Sequence, residues 1–373
     1  MKSIVYITGS FPRLGDGIGD AAGKLYDAIE DKSYINLFTS DNEKIRSFVN
    51  EHGYGNVSFV PNWRIGTVIR IIEFLRNHRI QNVLIEYAGN GYKKDISISF
   101  LPLILRVYNI FSKSKVTCHL RLHEFTMCRP ARKMLTYPLV LFSHHIDTPS
   151  YVEYKALTHR YGHKVQKSMI GSNFAWRDSV KQKASNRKIK LAFFGGIYPG
   201  KGIEKLIDIW GRLYSKYPDE YEYWLLGGFP KGLTSAFDSY QKDILRIIKE
   251  KGMQDVIKIT GFLPADEIQL LLDQTDIAVL PYEDGLTLRR GSFLAFLGRQ
   301  VSIVTSVGDM EAEEVFKNAR GVKMCKNDQE MINAILAYSK DGEYFSAGID
   351  NRKFKDLFDW KTIAKNVIGS FDA

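Results

Sequence analysis

Short apolar, β-prone runs alternate with helix-like segments along the whole chain, and the alternation occurs twice. In the first half, strand-like runs fall at 4–8, 35–39, 57–60, 83–86, 116–122, 141–145 and 164–168. Helix-like segments lie between them at 20–30, 42–52, 65–78, 98–111, 130–140 and 175–184. The polar stretch KQKASNRK at 181–188 reads as a linker. Beyond it, strands are expected at 190–194, 221–226, 256–260, 277–280, 301–305 and 321–324. Helices there are expected at 201–216, 236–251, 265–273, 289–297, 310–317 and 328–338. A strand that follows a helix that follows a strand must return parallel to the first, with the helix laid across a sheet face. The fold class is therefore α/β, with two doubly wound, Rossmann-like domains. A chain of 373 residues also exceeds what one core usually holds. The expected domains are 1–185 and 186–355, with a terminal segment at 356–373.

Composition removes several function classes. Three cysteines, Cys118, Cys128 and Cys325, make neither a disulfide framework nor a metal-ligand spacing, as suits a reducing compartment. The start, MKSIVYITGS, enters a strand directly and lacks the long apolar region of a secretory signal. The longest apolar run, 96–105, is too short to span a bilayer. A cytoplasmic location is expected, peripheral on the inner face of the cell membrane if the basic surface binds lipid. The net charge of +10 is uneven. Residues 101–133 hold seven Lys and Arg against one acid, Glu124, interleaved with apolar residues. That pattern suits an anionic membrane surface or a phosphate-bearing acceptor, or else an ordinary solvated helix face. Nucleic acid is not expected, because the aromatics form no stacking platform.

Open α/β sheets bind ligands beyond the carboxyl ends of their strands, and three loops there carry suggestive chemistry. The first is glycine-rich, with Gly15, Gly17 and Gly19 ahead of the first helix. Its spacing is not G-x-G-x-x-G, and no ribose-binding acid follows the next strand, which argues against a dinucleotide oxidoreductase. The second is FGGIYPGKG at 194–202, where glycines, a helix start and Lys201 converge as in a phosphate cradle, without a P-loop pattern. The third lies within 276–306 and places Glu283, Asp284, Arg289 and Arg290 around Gly285 and Gly291. Paired arginines suit planar contact with phosphate oxygens.

These motifs resemble those of GT-B glycosyltransferases of family 4 (group 1), in particular transferases of bacterial surface-polysaccharide assembly. FGGIYPGKGIEKL at 194–206 resembles the strand, loop and helix that open their donor domain. ITGFLPADEIQLLL at 259–272 is similar to their next motif, and 276–306 to their donor-site motif. FDWKTIAKNVI at 358–368 resembles the last helix, which crosses back to the N-terminal domain, and GDGIGDAAGKLYDAI the N-terminal loop and helix. The resemblance implies an N-terminal acceptor domain, a C-terminal nucleotide-sugar donor domain and an active-site cleft between them. It implies that Lys201, with Gly195 and Gly196, contacts the donor diphosphate. Gly261, Phe262 and Leu263 would hold the base, and Gly17 and Gly19 would approach the diphosphate or sugar. His123 would lie near the sugar as a catalytic residue, with His144, His145 and His163 as competing histidines. The third loop departs from the family's two glutamates eight positions apart. Glu283 or Asp284 stands for the first, but Gly291 and Ser292 occupy the second position. It resembles a subset with D-G-x-[ST]-x-R-R-G-S, in which Gly285, Leu286, Thr287 and Ser292 line the donor and Arg289 and Arg290 supply charge.

What the resemblance implies is a retaining transfer from a UDP- or GDP-sugar to a glycan or lipid-pyrophosphate-linked acceptor, without metal or other cofactor. Three alternatives stand beside it. One is a nucleotide-sugar 2-epimerase of the same fold. Another is a non-catalytic carbohydrate- or lipid-binding envelope protein. The third, suggested only by the charge, is a DNA-base glucosyltransferase.

Overall fold

The computed structural model describes residues 3–12, 17–92, 95–126, 128–180, 187–230 and 235–371. The chain divides into two compact units, Met1–Gly171 with Leu357–Ala373, and Ser172–Asp356.

The first unit is built on seven parallel strands: β1 (Ile4–Thr8), β2 (Ile35–Ser40), β3 (Val57–Val60), β4 (Asn82–Tyr87), β5 (Thr117–Leu122), β6 (His145–Thr148) and β7 (Val165–Lys167). Their order is β3-β2-β1-β4-β5-β6-β7. Alternate residues of a strand face opposite sides of a sheet, and both sides are covered here. Val5 and Ile7 of β1 join Val83, Ile85, Leu120 and Leu122 in one core, against Val68, Ile71, Leu75, Leu101 and Leu105 from helices. Ile4 and Tyr6 face the other way, into a core with Leu25, Ile35, Leu37, Leu84, Ile363 and Val367. The last two belong to the terminal helix Trp360–Gly369, which packs on helix Gly17–Ala28. The chain thus leaves the second unit and returns to the first, as the terminal motif implied.

The second unit has six parallel strands: β8 (Ile189–Phe194), β9 (Tyr221–Leu226), β10 (Ile257–Ile259), β11 (Ile277–Leu280), β12 (Ser302–Ser306) and β13 (Val322–Cys325). Their order is β10-β9-β8-β11-β12-β13. In both units the order reverses beside the first strand, between β1 and β4 and between β8 and β11. These reversal points are where doubly wound sheets open a crevice for ligands.

Several sequence expectations require correction. The strand expected at 141–145 begins too early: helix Pro130–Phe142 runs through its start, and the strand is His145–Thr148. Leu139 and Val140 are buried while Leu141 is exposed, the rhythm of a helix rather than of a strand. The helix expected at 175–184 is absent over its described part, 175–180, and the rest of it lies outside the described residues. The backbone of that stretch is bonded to the second unit instead: Arg177 N–H donates to Gly298 O (2.9 Å), and Gln300 Nε2 donates to Arg177 O (3.0 Å) and Ser179 O (2.9 Å). Helices Tyr151–Tyr161 and Glu343–Asp350 were not anticipated. The first has a polar, weakly periodic sequence that gave no clear helical stripe.

Candidate functional site

In the second unit, the loops that follow β8 and β11 meet at the reversal point. Gly202 shows how closely. Its φ is 73°, and a Cβ there would sit 1.9 Å from Pro281 O. The loop after β11 is pressed on its other side against the loop after β12. Gly285 has φ 79°, and a Cβ on it would come within 2.4 Å of Val307 O. Only glycine fits such a left-handed, crowded position. Sequence therefore fixes these loops against one another.

Two helices begin at this point, Ile203–Lys216 after β8 and Gly291–Gly298 after β11, and neither has a side-chain cap. Helices Met310–Phe316 and Asp328–Ser339 of the same unit are capped by the side chains of Asp309 and Asn327, while Ala265–Gln274 and Glu343–Asp350 also lack a side-chain cap, so position at the reversal point sets the first two apart. The first turn of a helix leaves backbone N–H groups without an intrahelical partner. Uncapped N-termini with their dipoles offer those groups to an anion. Lys201 stands at the entry to the first helix, half-buried, with Nζ 4.9 Å above the Tyr198 ring.

The third loop holds Arg290 in place. Its guanidinium stacks 4.5 Å over the Tyr282 ring, donates to Asp284 Oδ1 and donates to Gly285 O at 3.3 Å. Its Nε is buried without a partner. Glu283, Asp284 and Arg289 are exposed, Leu286 is fully buried and Thr287 is half-buried. Ser292 Oγ lies 2.6 Å from Tyr282 Oη. Tyr282 is 1% exposed, and burial pushes its phenol well above the ordinary range, so it stays protonated and bonded. Ser292 is thereby committed to a partner within the loop, a bond that no local pattern of residues announces.

Gly195 leaves β8 with φ 139°, and its N–H donates to Leu226 O (3.0 Å). Gly196 packs against the Tyr198 ring. At the end of β10, Gly261 has φ 72°, Leu263 is half-buried, and the Phe262 ring is 66% exposed beside Gly228. The structure thus brings the sequence-predicted residues of 195–202, 261–263 and 283–292 to one edge of one sheet.

In the first unit, Gly17 and Gly19 open helix Gly17–Ala28, Gly17 exposed and Gly19 buried, while Gly15 lies outside the described residues. His123 follows β5 and is buried in a network that sequence reasoning missed. Its Nε2 lies 2.7 Å from Glu86 Oε1. A carboxylate only accepts, so Nε2 carries the ring proton. Glu86 also accepts from the Tyr6 hydroxyl. Arg121 Nε lies 3.5 Å from the same carboxylate, its Nη1 donates to Asp147 Oδ2 (2.6 Å) and its Nη2 donates to Met169 O (2.8 Å). Burial raises the Glu86 carboxyl, but His123, Arg121 and Tyr6 outweigh it and hold the group below its ordinary range. Such charges survive burial only when paired. The signal was present in sequence: Glu86 and Arg121 are ions inside runs that otherwise read as fully buried strands. The basic cluster at 101–133 is also less of a face than it reads, because Arg121 is fully buried and Arg106 donates to Phe142 O (2.7 Å). Among the described residues, no group of three or more His, Cys, Asp or Glu could hold a metal ion. None of the described helices is long and apolar enough to cross a membrane.

Comparison with known proteins agrees with this architecture. No family model matches the chain. A stretch of 217 residues is 24% identical to the phosphatidylinositol N-acetylglucosaminyltransferase GPI3 subunit of Saccharomyces cerevisiae, spanning 55% of this chain and 44% of that protein. The chain thus matches less than half of this relative's length. Among solved structures, HepE from Anabaena in complex with UDP superposes over 100% of both chains with a TM-score of 0.74 at 14% identity. A glycosyltransferase from Rickettsia africae superposes over 100% of this chain and 98% of its own, with a TM-score of 0.70 at 11% identity. The lipopolysaccharide outer core galactosyltransferase WaaB covers both chains fully with a TM-score of 0.67 at 12% identity. With two Rossmann-like units and the family's motifs in order, the chain has the GT-B fold and resembles glycosyltransferases of family 4.

Proposed function

We propose that the protein is a retaining glycosyltransferase that moves a hexosyl or N-acetylhexosaminyl group from a nucleotide-diphosphate sugar to a glycan or lipid-linked acceptor in cell-surface polysaccharide biosynthesis. The observation that carries this reading is the β8/β11 reversal point, where two uncapped helix N-termini, Lys201 and Arg290 lie on one sheet edge. Cleavage of the anomeric bond builds negative charge on the leaving diphosphate. Preorganised amides and cations aimed at that charge stabilise it in the transition state more than in the ground state. The unpartnered Arg290 Nε has a donor to spare for a phosphate oxygen. The exposed Phe262 ring offers a face on which a nucleobase can stack. An acceptor hydroxyl attacks from the face that the diphosphate vacates and passes its proton to that diphosphate, so no protein nucleophile is required.

The donor class is supported by HepE, which was solved with UDP and with UDP-glucose. His123, held by Glu86, is the proposed sugar-side residue of the first unit. The exposed Ile110 and Phe111 beside exposed Lys113 and Lys115 support a peripheral seat on an anionic membrane. A panel of UDP-, GDP- and dTDP-sugars tests the proposal. One donor is expected to raise the melting temperature and to be turned over with an added acceptor; stabilisation by none of them would sink the reading.

A further inference from the structure

The opposite edge of the first unit's sheet carries a second collection of cations. Beyond the amino ends of β5, β6 and β7 lies a cavity of about 810 Å³. Into it face Arg106, His144, His145, Arg160, His163 and Lys164, and no acidic side chain lines it. They come from different elements: helix Leu101–Phe111, the start of β6, the end of helix Tyr151–Tyr161, and the turn Gly162–Lys164.

Two of these cations are fixed in place by backbone carbonyls rather than by counter-ions. Lys164 Nζ donates to Val140 O (2.7 Å), Leu141 O (2.8 Å) and Ser143 O (3.1 Å) at the end of helix Pro130–Phe142. Arg106 Nε donates to Phe142 O at the same helix end. Carbonyl dipoles orient a cation but carry no full charge to cancel it. His144 Nδ1 accepts from the Cys118 N–H (3.1 Å), which leaves the proton on Nε2 as a donor. His145 is held by stacking on His119, with ring centroids 4.6 Å apart. Arg160 and His163 are exposed at the rim.

Burial lowers the proton affinities here, and the Arg106 charge adds to it. Burial and Arg106 bring Lys164 down to about 8, while burial, Arg106, His145 and Lys164 bring His144 down to about 4. Arg106 thus disfavours charge on both Lys164 and His144, and with no acid among the lining residues the cluster lacks its counter-charge. The volume exceeds that of one phosphate, and the donors converge from several sides.

We propose that this amino-edge cavity is an anion site for a phosphomonoester, either free in solution or borne on a lipid. It lies at the other end of the strands from the carboxyl edge and stands independently of the assignment of donor chemistry. Phosphate oxygens would accept from Arg160 and His163 at the rim and from His144 Nε2, and would supply the charge that Arg106 and Lys164 lack. The exposed Ile110 and Phe111 at the end of the Arg106 helix would suit the lipid-borne form.

The test uses the full chain with two probes. Glycerol 3-phosphate binding is measured by calorimetry, and sedimentation is measured with vesicles of phosphatidylcholine with or without phosphatidic acid. The comparison protein is the Arg160→Gln/His163→Gln double variant, whose changes fall on exposed side chains, and an unchanged melting temperature and circular dichroism spectrum serve as its fold control. Saturable binding of either probe by the wild-type chain, weakened about tenfold or more in the variant, is the expected result. Binding of glycerol 3-phosphate identifies the free form, and binding only of phosphatidic acid vesicles the lipid-borne form. Failure to bind either probe, or binding that the double variant retains in full, overturns the proposal.

Discussion

Replacing Arg121 with Met tests the buried network that holds His123. Arg121 has no exposed surface and bridges Asp147, Glu86 and Met169 O. Asp147 Oδ1 already lacks a partner, so the substitution leaves that carboxylate with neither of its oxygens paired to a cation. Glu86 keeps His123 and Tyr6. Removing one member of a buried ionic set costs about 3–5 kcal/mol. For a unit of this size, that is a fall in melting temperature of roughly 6–20 °C. The pH dependence gives the sharper test. In the wild-type protein the Glu86 carboxyl sits below its ordinary range. Its contribution is therefore present above the unfolded carboxylate range, near ~4.3, and is lost as pH falls through the folded value. In the variant His123 and Tyr6 still lower the carboxyl but the Arg121 contribution is gone, so the carboxyl rises relative to the wild-type protein and protonation relieves the buried charge sooner. The gap between the two proteins should be widest near neutrality and should shrink towards pH ~4–5. Scanning calorimetry across that range reads it directly. Adding Asp147→Leu should restore much of the loss, because an apolar pair replaces an orphaned ion. A constant gap across pH, or a cost under about 1 kcal/mol, would show that the network is not the electrostatic unit described.

Three further changes address the second unit. Lys201→Ala should cut donor turnover by about two orders of magnitude with little change in melting temperature, since the side chain is half exposed; near-normal turnover removes Lys201 from the site. Gly202→Ala must place a Cβ against Pro281 O in a left-handed conformation. That conformation alone costs about 1–2 kcal/mol, so both stability and nucleotide affinity should fall, and retention of both would mean that the two loops do not pack as described. Asp284→Asn weakens the exposed partner of Arg290, and a pair of this kind is worth about 0–1 kcal/mol. Diphosphate affinity should therefore rise by up to about fivefold, whereas a drop would make Asp284 a ligand contact rather than a competitor.

The doubly wound plan was legible because buried parallel strands leave a strong mark. Runs such as IVYIT and IAVL, each followed by a helical segment, admit few other folds. Residues 195–202 were legible as well, since glycines with a lysine at a helix start have a direct physical reading. The specific side-chain partners were not legible. Nothing local in the chain says that Tyr282 takes Ser292, that Asp284 takes Arg290, or that Glu86 sits against a histidine 37 positions later. The misplaced strand at 141–145 has a related cause: a short apolar run fits either period until its packing partners are known. The two uncapped helix starts gave no positive signal, because helices Ala265–Gln274 and Glu343–Asp350 also lack a side-chain cap, and only the sheet order puts 203 and 291 together at the reversal point.

The most direct measurement is amide hydrogen exchange on the full chain with and without saturating UDP, GDP or dTDP. If the β8/β11 reversal point holds the donor diphosphate, one of these nucleotides should slow exchange at the first-turn amides of 203–205 and 291–292, the uncapped helix starts. Protection confined to other segments, or no protection by any of the three, would contradict the site.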